Sequence, residues 1–256
     1  MIVKKRFEVE RLGPVLLVIS VLLVWEGLVR QGSVSPLFFP APTTIAKTLA
    51  TWGISGELKL HLAVTVARLG IGGILGGSIG LVLGLLIGWS RRICLLIDPL
   101  IAAVHPIPKI AILPLVMILF GIGETSKIVL IAVGVFFPMV INTAAGVRQI
   151  DPLYFDVAHN YGITGVKVFW RVVIPGSLPM ILTGMRLAVN IALLLTIAVE
   201  LVTAQQGLGA IIWLAWETLR TEELYASLVV IALLGISMNI GLHLLRTYLV
   251  PWQAER

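Results

Sequence analysis

The sequence is short of charge, cysteine and histidine, and each shortage removes a class of function. Only 12% of its 256 residues are charged, against 58% hydrophobic, and mean hydropathy is +1.03. Soluble domains carry about 25% charged and roughly 45–50% apolar residues. A water-soluble fold this apolar has too few polar groups to cover its surface. Cys94 is the only cysteine, so neither a disulfide framework nor a cysteine metal centre can be built. His61, His105, His159 and His243 stand far apart without metal-ligand spacing, and no metal site is expected. No Gly-x-x-x-x-Gly-Lys-Ser/Thr phosphate loop occurs, so the chain is expected to hold no nucleotide of its own. The net charge of +6 comes from scattered residues, with no basic run interleaved with aromatics. That pattern suits a basic membrane face and argues against nucleic acid as a partner.

What is present is a series of long apolar blocks. They predict an all-α polytopic membrane protein of about six transmembrane helices, embedded in a lipid bilayer. A chain of this length then has no room for a separate soluble domain, so residues 1–256 read as one transmembrane unit. Residues 1–13 are polar and basic, and 14–30 are almost wholly apolar. That order also suits a secretory leader. The run is long for one, though, and no small-residue cleavage site follows, so 14–30 is expected to be an uncleaved first span. Glu26 reads as an interfacial carboxylate.

Pro42-Thr-Thr is expected to open a short amphipathic helix, Ile45 to Trp52, with Thr43 or Thr44 as its N-cap. The second span covers about 62–89. Gly72, Gly76, Gly80, Gly84 and Gly88 recur every fourth residue along it, a ridge that lets another helix approach closely. Arg68, near the span's outer end, is expected to snorkel. The third block, 93–120, contains Pro99, Pro106, Pro108 and Pro114, so it cannot be one straight helix. A broken helix at membrane depth is tolerated where it is buried or lines a watery cavity. His105 and Lys109 fall in this broken region and are candidates for a translocation pathway, or for interfacial positions. The fourth span is about 126–147. The fifth is about 178–202, with Arg186 and Asn190 as further pathway candidates. A short helix, Ala210–Leu219, precedes the sixth span at about 225–248.

Six spans put both termini on one side. That side holds Lys4, Lys5, Arg6, Arg11, Arg91, Arg92, Arg148, Lys167, Arg171, Arg246 and Arg256. The other holds Arg30, Lys47, Lys59, Lys127 and Arg220. An excess of about two to one makes the first side cytoplasmic by the positive-inside rule. The polar segment 151–175 is then cytoplasmic too. Asp151-Pro152 opens a first helix there, running to about Tyr161, and Gly162 suits the left-handed position just past its end. Thr164 suits the N-cap of a second helix, which is expected to end at Ile174-Pro175. Two helices around a glycine make a rigid knuckle that can transmit a push.

This segment resembles the cytoplasmic EAA loop of bacterial ABC importer permeases: Glu-Ala-Ala, three residues, Gly, nine residues, Ile, one residue, Leu-Pro. Asp156, Val157 and Ala158 stand at the first three positions, and Gly162 at the glycine. Val172, Ile174 and Pro175 stand at the Ile, the Leu and the Pro. The spacing agrees throughout, while Asp for Glu, Val for Ala, Val for Ile and Ile for Leu depart mildly. The approach Phe39-Pro-Ala-Pro-Thr, Pro106-Ile-Pro-Lys-Ile-Ala, Phe120-Gly-Ile-Gly-Glu, Gly207-Leu-Gly and Val250-Pro-Trp are similar to the nitrate/taurine/alkanesulfonate branch.

The resemblance implies a type I ABC importer transmembrane fold and a permease, not an enzyme. It implies a homodimer, two cytoplasmic ATPase subunits that bind ATP and Mg, and an extracytoplasmic substrate-binding protein. It places the chain in a bacterial inner membrane, with ATPase coupling at Asp156, Val157, Ala158, Gly162, Thr164, Lys167, Ile174 and Pro175. The cargo is expected to be a small anion such as a sulfonate, taurine, nitrate or bicarbonate, or alternatively a pyrimidine or riboflavin precursor. A gradient-driven transporter would be expected to show intramembrane acids and inverted repeats, and an intramembrane enzyme a clustered catalytic set. Glu26, Asp98 and Glu200 fall near predicted span ends, and no such cluster is visible.

Overall fold

In the computed structural model, residues 2–203 and 205–252 are described, with side chains from residue 13 onward. The basic side chains of Lys4, Lys5, Arg6, Arg11 and Arg256 lie outside that range. Among the described residues there are helices and no strands. Helix α1 covers Ile2–Arg30, α2 Pro42–Ser55, α3 Glu57–Trp89 and α4 Arg91–Val104. A 3-10 turn at Lys109–Ile112 leads into α5, Leu113–Phe120. Then come α6, Glu124–Arg148, and α7, Pro152–Asn160. Short α8, Val166–Val168, runs through a π-turn at Phe169–Val173 into α9, Ile174–Thr203. Finally α10 covers Leu208–Glu217 and α11 Thr221–Leu249.

Five of these helical runs are long and apolar enough to cross a bilayer, and α4 with the turn and α5, bent by 88°, makes a sixth where the pair is counted as one broken span. The break between them falls at Pro106 and Pro108, where proline withholds donors the helix needs. The fifth crossing corrects the expectation of a stop at Pro175. Helix persists from Val166 to Thr203, because the π-turn just before Pro175 widens the backbone around a ring that donates no hydrogen bond.

Helices α3, α6 and α9 form the centre. The ridge glycines of α3 meet α6 backbone to backbone. A Cβ on Gly76 would collide with the Ala132 carbonyl, one on Gly80 would lie 2.7 Å from the Phe136 oxygen, and one on Gly84 2.6 Å from Thr143 Cβ. The ridge therefore interlocks with its neighbour. Gly70 and Gly73, on the other face, have nothing within reach. Leu69, Ile131, Val135, Met139, Ile181, Ala188 and Ala192 fill the space among the three helices.

The start of α2 corrects another expectation. Ala41 holds the N-cap position and neither threonine caps the helix. Instead Glu26 of α1 accepts from the Thr43 backbone N–H at 3.0 Å and from its hydroxyl at 2.8 Å. A carboxylate from a neighbouring helix satisfies the free N-terminal donors.

Candidate coupling loop and polar sites

The turn from α6 into α9 is built locally. Asp151 caps α7 by accepting from the Leu153 N–H at 2.9 Å, and Pro152 fills the first turn, where its missing donor costs nothing. At the other end Gly162 takes φ +71. Its N–H donates to the His159 carbonyl at 2.9 Å, and that of Ile163 to Ala158 at 2.8 Å. This is the two-bond closure that a left-handed glycine permits. Thr164 does not cap the next helix. Gly165 occupies that position at φ +61, with no side-chain bond.

The knuckle stands on Trp89, the last residue of α3. The Phe155 and Phe169 rings lie 6.4 and 5.9 Å from the Trp89 ring, and Ala158 is buried beneath. Its outward side is apolar and open: Tyr161 is 81% exposed, Val166 73%, Tyr154 64% and Trp170 64%. Val157 is exposed as well. Asp156, Thr164 and Lys167 are exposed around this patch, and none of the three makes a side-chain bond among the described residues. Ile174 and Pro175 are half-buried where the helix enters the bundle. An exposed apolar patch with a polar rim is the usual form of a protein docking surface.

His105 and Lys109 sit at the 88° bend. Lys109 Nζ donates to the carbonyls of His105 and Ile107 at 2.8 Å each and of Val104 at 3.2 Å. It thus gathers the carbonyls at the end of α4 and in the bend, of which that of Val104 also accepts from the Ile107 N–H at 3.2 Å. The ammonium also lies 4.2 Å from the centre of the Phe137 ring, with His105 stacked edgewise on the same ring at 5.4 Å.

Arg186 and Asn190 belong to a separate place. Arg186 Nε donates to Asn239 Oδ1 at 3.3 Å, and Asn239 Nδ2 donates to Asn190 Oδ1 at 3.1 Å. Arg186 and Asn239 line a cleft of about 590 Å³ between α9 and α11, and Asn190 touches it only through Asn239. No bond joins this group to His105 or Lys109 among the described residues. Asn239 was missed in the sequence. A lone amide in an apolar span is the only local signal, and its partners lie 49 and 53 residues away.

The largest correction is Arg68. It does not snorkel: it is 4% exposed and holds Glu124 by two bonds, Nε at 2.6 Å and Nη2 at 2.7 Å. Its Nη1 donates to Glu200 at 2.8 Å and to the Gln206 carbonyl at 2.6 Å. Glu200, fully buried, also accepts from the Thr65 hydroxyl at 2.9 Å and the Gly209 N–H at 3.0 Å. Lys127 pairs with Glu124 at 2.8 Å. Two cations and two carboxylates thus clasp α3, α6, α9 and the start of α10. A Cβ on Gly207 would strike the Glu200 carboxylate. The available signal was register, since Arg68 is the next member of the four-residue row that contains Gly72.

The model for binding-protein-dependent transport system inner membrane components matches residues 76–255. The chain belongs to this family. It is the permease subunit of an ABC importer and spans the membrane several times. The taurine transport system permease protein TauC of Escherichia coli (strain K12) is 34% identical over 91% of this chain and 87% of its own length. A protein of Bacillus subtilis (strain 168) named as an aliphatic sulfonates transport permease, SsuC, is 35% identical, covering 91% and 84%. The SsuC protein of Escherichia coli (strain K12) is 36% identical, covering 94% and 92%. A solved inward-facing structure of the MetNI methionine ABC transporter superposes with TM-score 0.66 at 18% identity, covering 77% of this permease and 96% of that chain. That likeness establishes the type I importer fold.

Proposed function

We propose that this permease pairs with a second copy of itself to line the pathway for a small oxyanion, with taurine or another sulfonate the first candidate and nitrate or bicarbonate in the same chemical class. Agreement among the taurine and aliphatic sulfonate relatives carries this reading. A formylaminopyrimidine permease of Halalkalibacterium halodurans, 29% identical over 96% of the chain, keeps a vitamin precursor as the second reading.

Energy enters through the knuckle. Two cytoplasmic ATPase subunits dock on 151–175, one per permease, and they bind the ATP and Mg that this chain does not. Both termini and the knuckle face the cytoplasm of a bacterium, and an extracytoplasmic binding protein delivers cargo at the opposite end. Closure of the ATPases moves the knuckle, and the bundle alternates between inward- and outward-facing forms. Two features support this coupling: the open apolar patch around Tyr154, Tyr161 and Trp170, and its bracing on Trp89. The test is co-purification followed by reconstitution. The expected result is capture of a soluble ATPase and ATP-dependent uptake of taurine that requires the binding protein. Gradient-driven uptake by the permease alone would overturn it.

A further inference from the structure

Arg186 lies 20 residues after Val166 and 17 before Thr203 within one continuous helix. The residues before Ile174 belong to the knuckle; counted from Ile174, where the helix enters the bundle, Arg186 is 12 residues in, about 18 Å of rise and well inside the crossing. A guanidinium at that depth is costly unless it meets an acid or an aqueous cavity. Arg68 shows how this chain treats a structural arginine: two carboxylates hold it. Arg186 receives none among the described residues. Its one side-chain bond runs from Nε to Asn239. Asn239 is itself fixed by Asn190 and by the Gly235 carbonyl at 2.9 Å. The ladder thus orients the arginine and leaves both terminal Nη groups without a partner among the described residues. Those groups form the fork that suits an oxyanion.

The same cleft is lined by His243 and Arg246 on otherwise mostly apolar walls, and no acidic residue lines it among the described residues. The Thr183 hydroxyl, also in the lining, is already donating to the Pro179 carbonyl at 3.0 Å. The apolar pocket among α3, α6 and α9, about 350 Å³ and lined by Gly70, Gly73 and Met185, offers no such donors.

We infer that the α9–α11 cleft is an oxyanion-binding site, with Arg186 as its fork, Arg246 as its second charge and Asn239 as the positioning residue. It deepens the proposed function and rests on that reading for its link to cargo. The oxyanion can arrive as a sulfonate solute or as the phosphate of an anionic lipid.

The experiment uses the assembled transporter in nanodiscs without binding protein. Thermal stability is followed while methanesulfonate is titrated in phosphatidylcholine discs, and separately as phosphatidylglycerol replaces phosphatidylcholine. Wild type is expected to be stabilised by one of the two. Arg186→Gln should weaken that response by about 10- to 100-fold, the range for losing a charged hydrogen-bonded contact. Arg186→Lys should retain part of it. Asn239→Asp places a carboxylate beside Arg186 and should abolish the response, and co-purification of the intact variant transporter separates site loss from misfolding. A methanesulfonate response assigns the site to solute, and a phosphatidylglycerol response to lipid. No response in wild type, or an unchanged one in Arg186→Gln and Asn239→Asp, overturns the proposal. Sulfonate uptake that is equal in wild type and Arg186→Gln, without any stability response, removes the site and leaves the importer reading intact. An Arg186-dependent response in a transporter that imports no sulfonate does the reverse.

Discussion

Replacing Arg68 by Met should be among the most damaging single changes in the bundle. The substitution keeps most of the aliphatic length and removes four hydrogen bonds, two to Glu124, one to Glu200 and one to Gln206. The two carboxylates do not suffer equally. The Glu124 side chain is 56% exposed and keeps Lys127, so water and a second cation compensate it, at a cost of about 1 kcal/mol or less. The Glu200 side chain is 0% exposed and retains only the Thr65 hydroxyl and the Gly209 N–H. An uncompensated buried charge costs about 3–5 kcal/mol. For a chain of this size that is a fall in Tm of about 6–20 °C. Apparent Tm values of the purified transporter, compared at one scan rate, provide the assay. Arg68→Met combined with Glu200→Gln removes the stranded charge and should recover about half the loss, a coupling of roughly 2 kcal/mol within the range for contacting residues. A fall below about 2 °C for the single variant, on the same scaling, or a double variant no better than the single, would refute the view that Glu200 is the buried charge Arg68 exists to hold.

Three further outcomes follow from the same structure. Gly76→Ala should cost about 1–3 kcal/mol because its Cβ meets the Ala132 backbone. Gly73→Ala, which meets nothing, should be neutral or stabilising by up to about 1 kcal/mol; Tm measurements on the pair test this contrast. Gly162→Val places a β-branched residue at φ +71, a strain of roughly 1–3 kcal/mol. Transport-coupled ATPase activity should fall more than subunit assembly, and unchanged transport would count against the rigid knuckle. Lys109→Ala removes three bonds to carbonyls at the bend and leaves those of His105 and Ile107 uncovered, so protease accessibility between α4 and α5 should rise, while Lys109→Arg should largely preserve the bend.

Spans and knuckle were legible because their causes are local. Apolar length marks a crossing, and Asp151 and Gly162 act within four residues of themselves. Pro175 misled for an equally local reason. A proline breaks a regular α-turn, and the wider π-turn that accommodates it has no signature in the sequence. The polar contacts were the hidden part. Arg68 and Glu200 are 132 residues apart and Arg186 and Asn239 are 53 apart, so their pairing is decided by which helices become neighbours. Read singly, each looked like a residue at a span end or a lone polar group. Only the four-residue row shared by Arg68 and the glycines tied one of them to a face that was already expected to pack.

That row also has a kinematic consequence. Helices α3 and α6 run parallel, and their contacts advance together: Arg68 with Glu124, Gly72 with Ile128 and Ile131, Gly80 with Phe136 and Met139, Gly88 with Ala144 and Val147. Each tooth is four residues, about 6 Å of rise. A shift of less than one tooth drives side chains into backbone, and a shift of a whole tooth brings Arg68 opposite Ile128 and Ile131 in place of Glu124. The pair is therefore a stator. On the proposed alternating-access mechanism the movement goes around it, at the α4–α5 bend and along the seam between α9 and α11, and a cross-link placed within the α3–α6 ladder should be silent where one placed across that seam is not.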